Sequence, residues 1–160
     1  MEDSLKKYLP SIVYGGSDGA VTTFAVMAGA VGAGFDTRVI IVLGLANLFS
    51  DGFSMASAEY LADDSYAEEN KARSFKNGIT TFVSFVGIGF IPLIPVLFAV
   101  QANKFMLSII FTVLTFALIG YIRGKILNRN PLELAVQSII IGSICAMIAY
   151  AVGEYISRLV

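Results

Sequence analysis

Asn47, Asp51, Met55, Glu59 and Asp63 recur at intervals of four residues. On a helix each such step climbs about 6 Å and turns about 40° beyond a full turn, so the five side chains form a slowly winding stripe. Four of them carry oxygen donors and one a thioether. Carboxylate and amide oxygens suit hard divalent cations, while thioether sulfur suits softer ones. A mixed set of this kind without histidine fits Fe(II) or Mn(II) better than Mg(II) or Ca(II). Such a site need not bind tightly if the ion is to leave again. Metal binding displaces protons from carboxylates, which gives a direct route to proton–metal exchange. Asp18, on a different segment, adds one more carboxylate in apolar surroundings.

The surroundings are what make these residues informative. Of 160 residues, 56% are apolar and only 14% charged, against about 25% charged in soluble domains. The mean hydropathy is +0.76. This composition excludes a soluble globular domain and a disordered chain. With 11 basic against 12 acidic residues, it also argues against a nucleic-acid partner. The single cysteine, Cys145, excludes an internal disulfide framework and a cysteine metal cluster. The absence of histidine removes Ser-His and Cys-His catalytic pairs. A small integral membrane protein with no enzymatic machinery of those kinds remains.

A helix crosses a bilayer with about 20 mostly apolar residues. Five stretches qualify, at about 12–33, 39–61, 78–100, 105–121 and 134–152, and they predict an all-α, five-helix membrane bundle in one domain (1–160). A short helical link, 62–77, joins the second and third spans. Gly34-Phe35-Asp36-Thr37 supplies a helix stop and then a cap. Asn130-Pro131-Leu132-Glu133 places a cap, a first-turn proline and an acid before the fifth span. Asn77 reads as a cap of the third, and Pro92 and Pro95 predict a kink in it. Lys6, Lys7, Lys71, Arg73, Lys76, Arg123, Lys125 and Arg129 fall on one side, and Arg38, Lys104 and Arg158 on the other. That bias puts the N-terminus in the cytosol and the C-terminus outside. Ala28-Gly29-Ala30 resembles a signal cleavage site, but signal cores rarely carry an acid such as Asp18.

A carboxylate in hydrocarbon costs about 2.5–3.5 kcal/mol on insertion scales, so Asp18 and Asp51 must face a bundle interior or a wet cavity. Asp18 lies about 9 Å inside the cytosolic boundary, Met55 about the same, and Asp51 about 15 Å. The expected order along a path is therefore Glu59 at the mouth, Asp18 level with Met55, then Asp51, with Asn47 beyond. Asp63, Asp64, Glu68 and Glu69 in the link raise the local cation concentration at the entrance. Plainer roles remain open: structural hydrogen bonds for Asp18 and Asp51, packing for Met55, interface charge for Glu59 and Asp63, a solvated helical extension for the link. Gly15-x-x-x-Gly19 and Ala25-x-x-x-Gly29-x-x-x-Ala33 let helix backbones approach closely. Gly15, Gly19 and Gly29 are accordingly expected to pack two copies of the first helix together, bringing both Asp18 residues to one axis.

Two stretches resemble the vacuolar iron transporter family. One is Tyr14 through Gly29, with Asp18-Gly19 followed by Thr22-Thr23-Phe24 and Ala28-Gly29. The other is Gly44 through Leu61, with Ser54-Met55-Ala56 and Glu59-Tyr60. The resemblance is specific over the first third of the chain. It implies a five-helix homodimer exporting Fe(II), and often Mn(II), from the cytosol in exchange for protons, along a path between protomers. It also implies that Asp18 is the intramembrane metal and proton carboxylate, Met55 the path methionine, and Glu59 an acid towards the cytosol. Familiar members carry a Glu-rich cytosolic metal-binding domain between the second and third spans, where only 62–77 stand here, and Asp51 replaces a small residue. The expected partners are a second copy, the bilayer and transported divalent metal, with no tightly bound cofactor. A non-transporting membrane sensor or subunit is the runner-up, and an intramembrane aspartic protease using Asp18 and Asp51 comes third. The compactness of the chain points to a prokaryotic plasma membrane.

Overall fold

The computed structural model describes residues 2–66, 71–98 and 104–159, and their side chains over 8–63, 71–98 and 104–159. Helix α1 runs Glu2–Gly32, α2 Thr37–Tyr66 and α3 Lys71–Gly89. A 3-10 turn at Ile91–Leu93 leads into the short α4, Ile94–Phe98, and the chain continues through α5, Lys104–Ile126, and α6, Pro131–Ser157. The third span is thus broken, as Pro92 and Pro95 require. The Pro92 carbonyl accepts a hydrogen bond from Ser108 Oγ of α5 at 2.7 Å.

Two connections are built alike. After α1, the Phe35 N–H reaches the Ala30 carbonyl and the Gly34 N–H the Val31 carbonyl, both at 3.0 Å, with Gly34 at φ +75°. Asp36 Oδ1 then accepts from the N–H groups of Arg38 and Val39, starting α2. After α5 the same double closure forms on Arg129 and Asn128, with Asn128 at φ 52° in the place of glycine. Asparagine tolerates this conformation at a helix end. Asn130 then caps α6 by accepting from the Leu132 N–H at 3.1 Å. Asn77 is not a cap: α3 begins before it, at Lys71, and Asn77 is buried inside the helix.

Among the described residues, four segments are long and apolar enough to cross a membrane: Thr37–Asp63, Lys71–Phe98, Lys104–Ile126 and Pro131–Ser157. Helix α1 has the length, but Asp18 and its glycines and hydroxyl residues dilute its apolar content. Position explains the difference. Helix α1 packs against α2, α3, α5 and α6, so it meets protein where the others meet lipid. Large apolar side chains such as Phe53, Val83, Leu114, Met147 and Ile148 stand exposed on the outer helices. In water such a surface would aggregate; in a bilayer it is the solvent-facing surface. Between α1, α2 and the broken third span lies a core of Met27, Leu48, Phe85 and Leu93.

Small residues set the helix spacing. A Cβ on Gly15 would stand 2.6 Å from the Thr81 carbonyl oxygen and one on Gly19 2.3 Å from that of Phe85. Gly15 and Gly19 are therefore closed against α3 of the same chain, which corrects their expected place between two copies. Gly29 approaches the Ala149 backbone of α6 but remains half-exposed. These contacts run parallel along α1, α3 and α6. Contacts of Gly78 with Ala56, and of Gly89 with Leu48, run antiparallel between α3 and α2. Arg73, Lys76, Arg123, Lys125 and Arg129 consequently share one end of the bundle, and Arg38, Lys104 and Arg158 the other.

Candidate metal path

Helix register fixes the relative depth of the acids. Gly19 of α1 and Gly52 of α2 both abut Phe85. Asp18 and Asp51 each precede one of these glycines, on antiparallel helices, so they differ in depth by about 3 Å. Both are half-buried. Asp18 thus lies between the levels of Asp51 and Met55. Met55 is half-buried and packs on the apolar cluster around Leu48 and Phe85.

Asp51 opens on a groove that Val26 of α1 shares with Asn47, Ser50 and Ser54 of α2. Asn47 Nδ2 is buried there without a partner. Through Val26 and Leu43 this groove joins a second one beneath Gly29, Ala33 and Gly153, so an open furrow runs from mid-depth to the end of the bundle that carries Arg38. Ser50 and Ser54 were not singled out by the stripe of fours. They fall three residues on from Asn47 and Asp51, on the same helical face, and that spacing is their signal.

The stripe does not stay in the furrow. Forty degrees per step accumulates to about 160° between Asn47 and Asp63, so its two ends face different neighbours. Glu59 turns inward at the basic end. Its Oε1 accepts from Ser11 Oγ of α1 at 2.5 Å, and its Oε2 from Thr81 Oγ1 of α3 at 2.7 Å. One turn further, Asp63 Oδ2 accepts from Asn77 Nδ2 at 2.5 Å. Ser11, Thr81 and Asn77 are polar residues that the stripe alone did not reveal. Glu68 lies outside the described residues. Glu154, at the far end, pairs with Arg158. Among the described residues no three Asp, Glu or Cys side chains gather where they could hold a metal within one chain.

A polytopic helical membrane protein with two half-buried carboxylates at mid-depth belongs to a restricted class, because such acids are retained where ions or protons move. The chain belongs to the VIT family, whose profile matches residues 9–74 and 64–154. The two matched pieces meet over 64–74, across the connection between α2 and α3. Curated relatives include a vacuolar iron transporter of Toxoplasma gondii, 22% identical over 96% of this chain and 76% of its own. Another, vacuolar iron transporter 1 of Tulipa gesneriana, is 23% identical over 89% of this chain and 85% of its own. The Toxoplasma alignment spans 228 positions, more than the 160 residues here, so that relative carries residues with no counterpart in this chain.

Proposed function

We propose that the protein moves Fe(II) or Mn(II) out of the cytosol in exchange for protons, as a homodimer whose path runs along the furrow beside α1 and α2. The observation that carries this reading is Asp51, half-exposed at mid-depth on the open furrow, with the half-exposed Asp18 at nearly the same level. Bare carboxylates facing acyl chains cost several kcal/mol, and a second copy laid on the furrow would cover them. Two copies would also bring four carboxylates near one axis, where one chain offers two. The names of the relatives support iron as cargo, and the carboxylate and amide oxygens of Asp18, Asp51 and Asn47 suit a hard divalent ion. A metal ion entering the path requires deprotonated ligands, and its departure leaves carboxylates free to take protons. The basic end, with its excess of Lys and Arg, is the cytosolic one.

Purified protein in sealed vesicles should take up Fe(II) or Mn(II) when a proton gradient is imposed. Asp18→Asn should abolish that uptake while the protein remains folded. Undiminished flux in this variant would remove Asp18 from the path and with it the proposed mechanism.

A further inference from the structure

At the basic end, α2 and α3 face each other across two polar rungs. Glu59 and Thr81 form one, with Ser11 of α1 on the second carboxylate oxygen. Asp63 and Asn77 form the other. Glu59 and Asp63 are i,i+4 on α2, and Asn77 and Thr81 are i,i+4 on α3, so the rungs stand one helical turn apart on both helices, about 6 Å. Two carboxylates thus share one small region, and like charges at this spacing repel. Neither forms an ion pair with a basic side chain among the described residues.

A second observation points to what is missing. Asn77 is only 8% exposed. Its Nδ2 is held by Asp63, while its Oδ1 is buried with no donor. Buried acceptors in native proteins are almost always satisfied. A donor there would leave the charge of the two acids in place. A cation would satisfy the amide oxygen and neutralise the acids together.

We propose that Asp63 and Asn77 form a divalent-cation site within each protomer, at the cytosolic mouth, with Glu59, held by Ser11 and Thr81 one turn away, adding negative charge beside it. The ligands are all oxygens, which admits hard divalent ions, Mn(II) among them, that keep water in their remaining positions. Asp63 is half-buried, so the ion enters from the aqueous side. The site deepens the transport reading by giving the path a loading station, but it is built from one chain and is testable without flux.

The test uses the full chain in detergent, with Mn(II) as the probe. Free Mn(II) is counted by electron paramagnetic resonance, and thermal unfolding is followed with and without the ion. An Asp18→Asn/Asp51→Asn background removes the mid-depth acids and should retain one Mn(II) per protomer. Adding Asp63→Asn or Asn77→Ala to it should weaken that binding at least tenfold and erase the Mn(II)-dependent rise in melting temperature. Asn77→Asp, which keeps the size and restores an oxygen ligand, should bind again. Unchanged binding in Asp63→Asn and Asn77→Ala, or no recovery in Asn77→Asp, would overturn the site. A protein that binds Mn(II) in this pattern but moves no metal would keep the site and lose the transport reading. Intact flux with binding indifferent to Asp63 and Asn77 would do the opposite.

Discussion

Asn47 and Asp51 look onto an open furrow, whereas Glu59 and Asp63, on the same helix and in the same sequence stripe, are tied to α1 and α3. The two ends differ because a spacing of four overshoots the helical turn, and the excess rotates the stripe through about 160° over its length. The open end leaves polar groups half-exposed at mid-depth, which has a cost that only a covering partner or an ion offsets. The tied end satisfies both oxygens of Glu59 with hydroxyls from two other helices and so contributes to the fold. Several other hydroxyls close on their own helix instead, such as Thr112 on the Ser108 carbonyl and Thr115 on that of Phe111. Similar side chains on one helix therefore have separable roles, and substitution should separate them.

The largest contrast is between flux and stability. Asp18→Asn or Asp51→Asn should eliminate metal uptake at every ion concentration and leave the melting temperature equal or higher, since a half-buried charge is removed from apolar surroundings. Glu59→Ala should have the reverse emphasis. It strands the buried hydroxyls of Ser11 and Thr81, which costs about 1–3 kcal/mol, read as a lower melting temperature. If Glu59→Ala were as stable as the parent, the tied end would not be tied.

Next comes the test of which surface the glycines serve. Gly19→Leu would push a side chain into the Phe85 carbonyl, forcing α1 off α3. Overpacking of this kind costs about 1–3 kcal/mol or more, and monomer and dimer should be lost together in size-exclusion chromatography. Gly87→Leu adds its first atom where nothing stands within 4 Å and should be tolerated. A folded monomer of Gly19→Leu would return Gly19 to the contact between copies and shift the open face away from the furrow.

The elements were largely legible in the sequence, because bilayer thickness, proline and capping residues act locally. Asp36, Asn130 and the break at Pro92 stand where their chemistry puts them. The helix ends were less legible: α5 and α6 run past the expected spans to Ile126 and Ser157, since a helix need not stop at the apolar boundary. Gly15 and Gly19 show a deeper limit. A small-residue row says that a backbone comes close but not whose backbone, and here it is α3. Asn77 shows the same limit for polar groups. Its neighbour Asp63 is many residues away, so only the antiparallel packing of α2 and α3 brings the pair together. Residue counting put Asp51 about 6 Å deeper than Asp18, and the packing of both helices on Phe85 makes it about 3 Å. That Met55 packs on the core while Asp51 opens on the furrow depends on rotation about the α2 axis.

The smallest effect isolates the comparison most cleanly, because the same atom is removed at both ends. Ser11→Ala deletes a hydroxyl that is 4% exposed and donates to Glu59. Ser50→Ala deletes an exposed hydroxyl that lines the furrow. The first should lower stability by about 1 kcal/mol, the net value of a buried hydrogen bond. The second should fall within about 0.5 kcal/mol of the parent, as surface substitutions do. Denaturation in one detergent, at fixed protein concentration, reads both. Equal losses would mean that the furrow is already closed by contacts as tight as those around Glu59, and the distinction between an open and a tied end would fail.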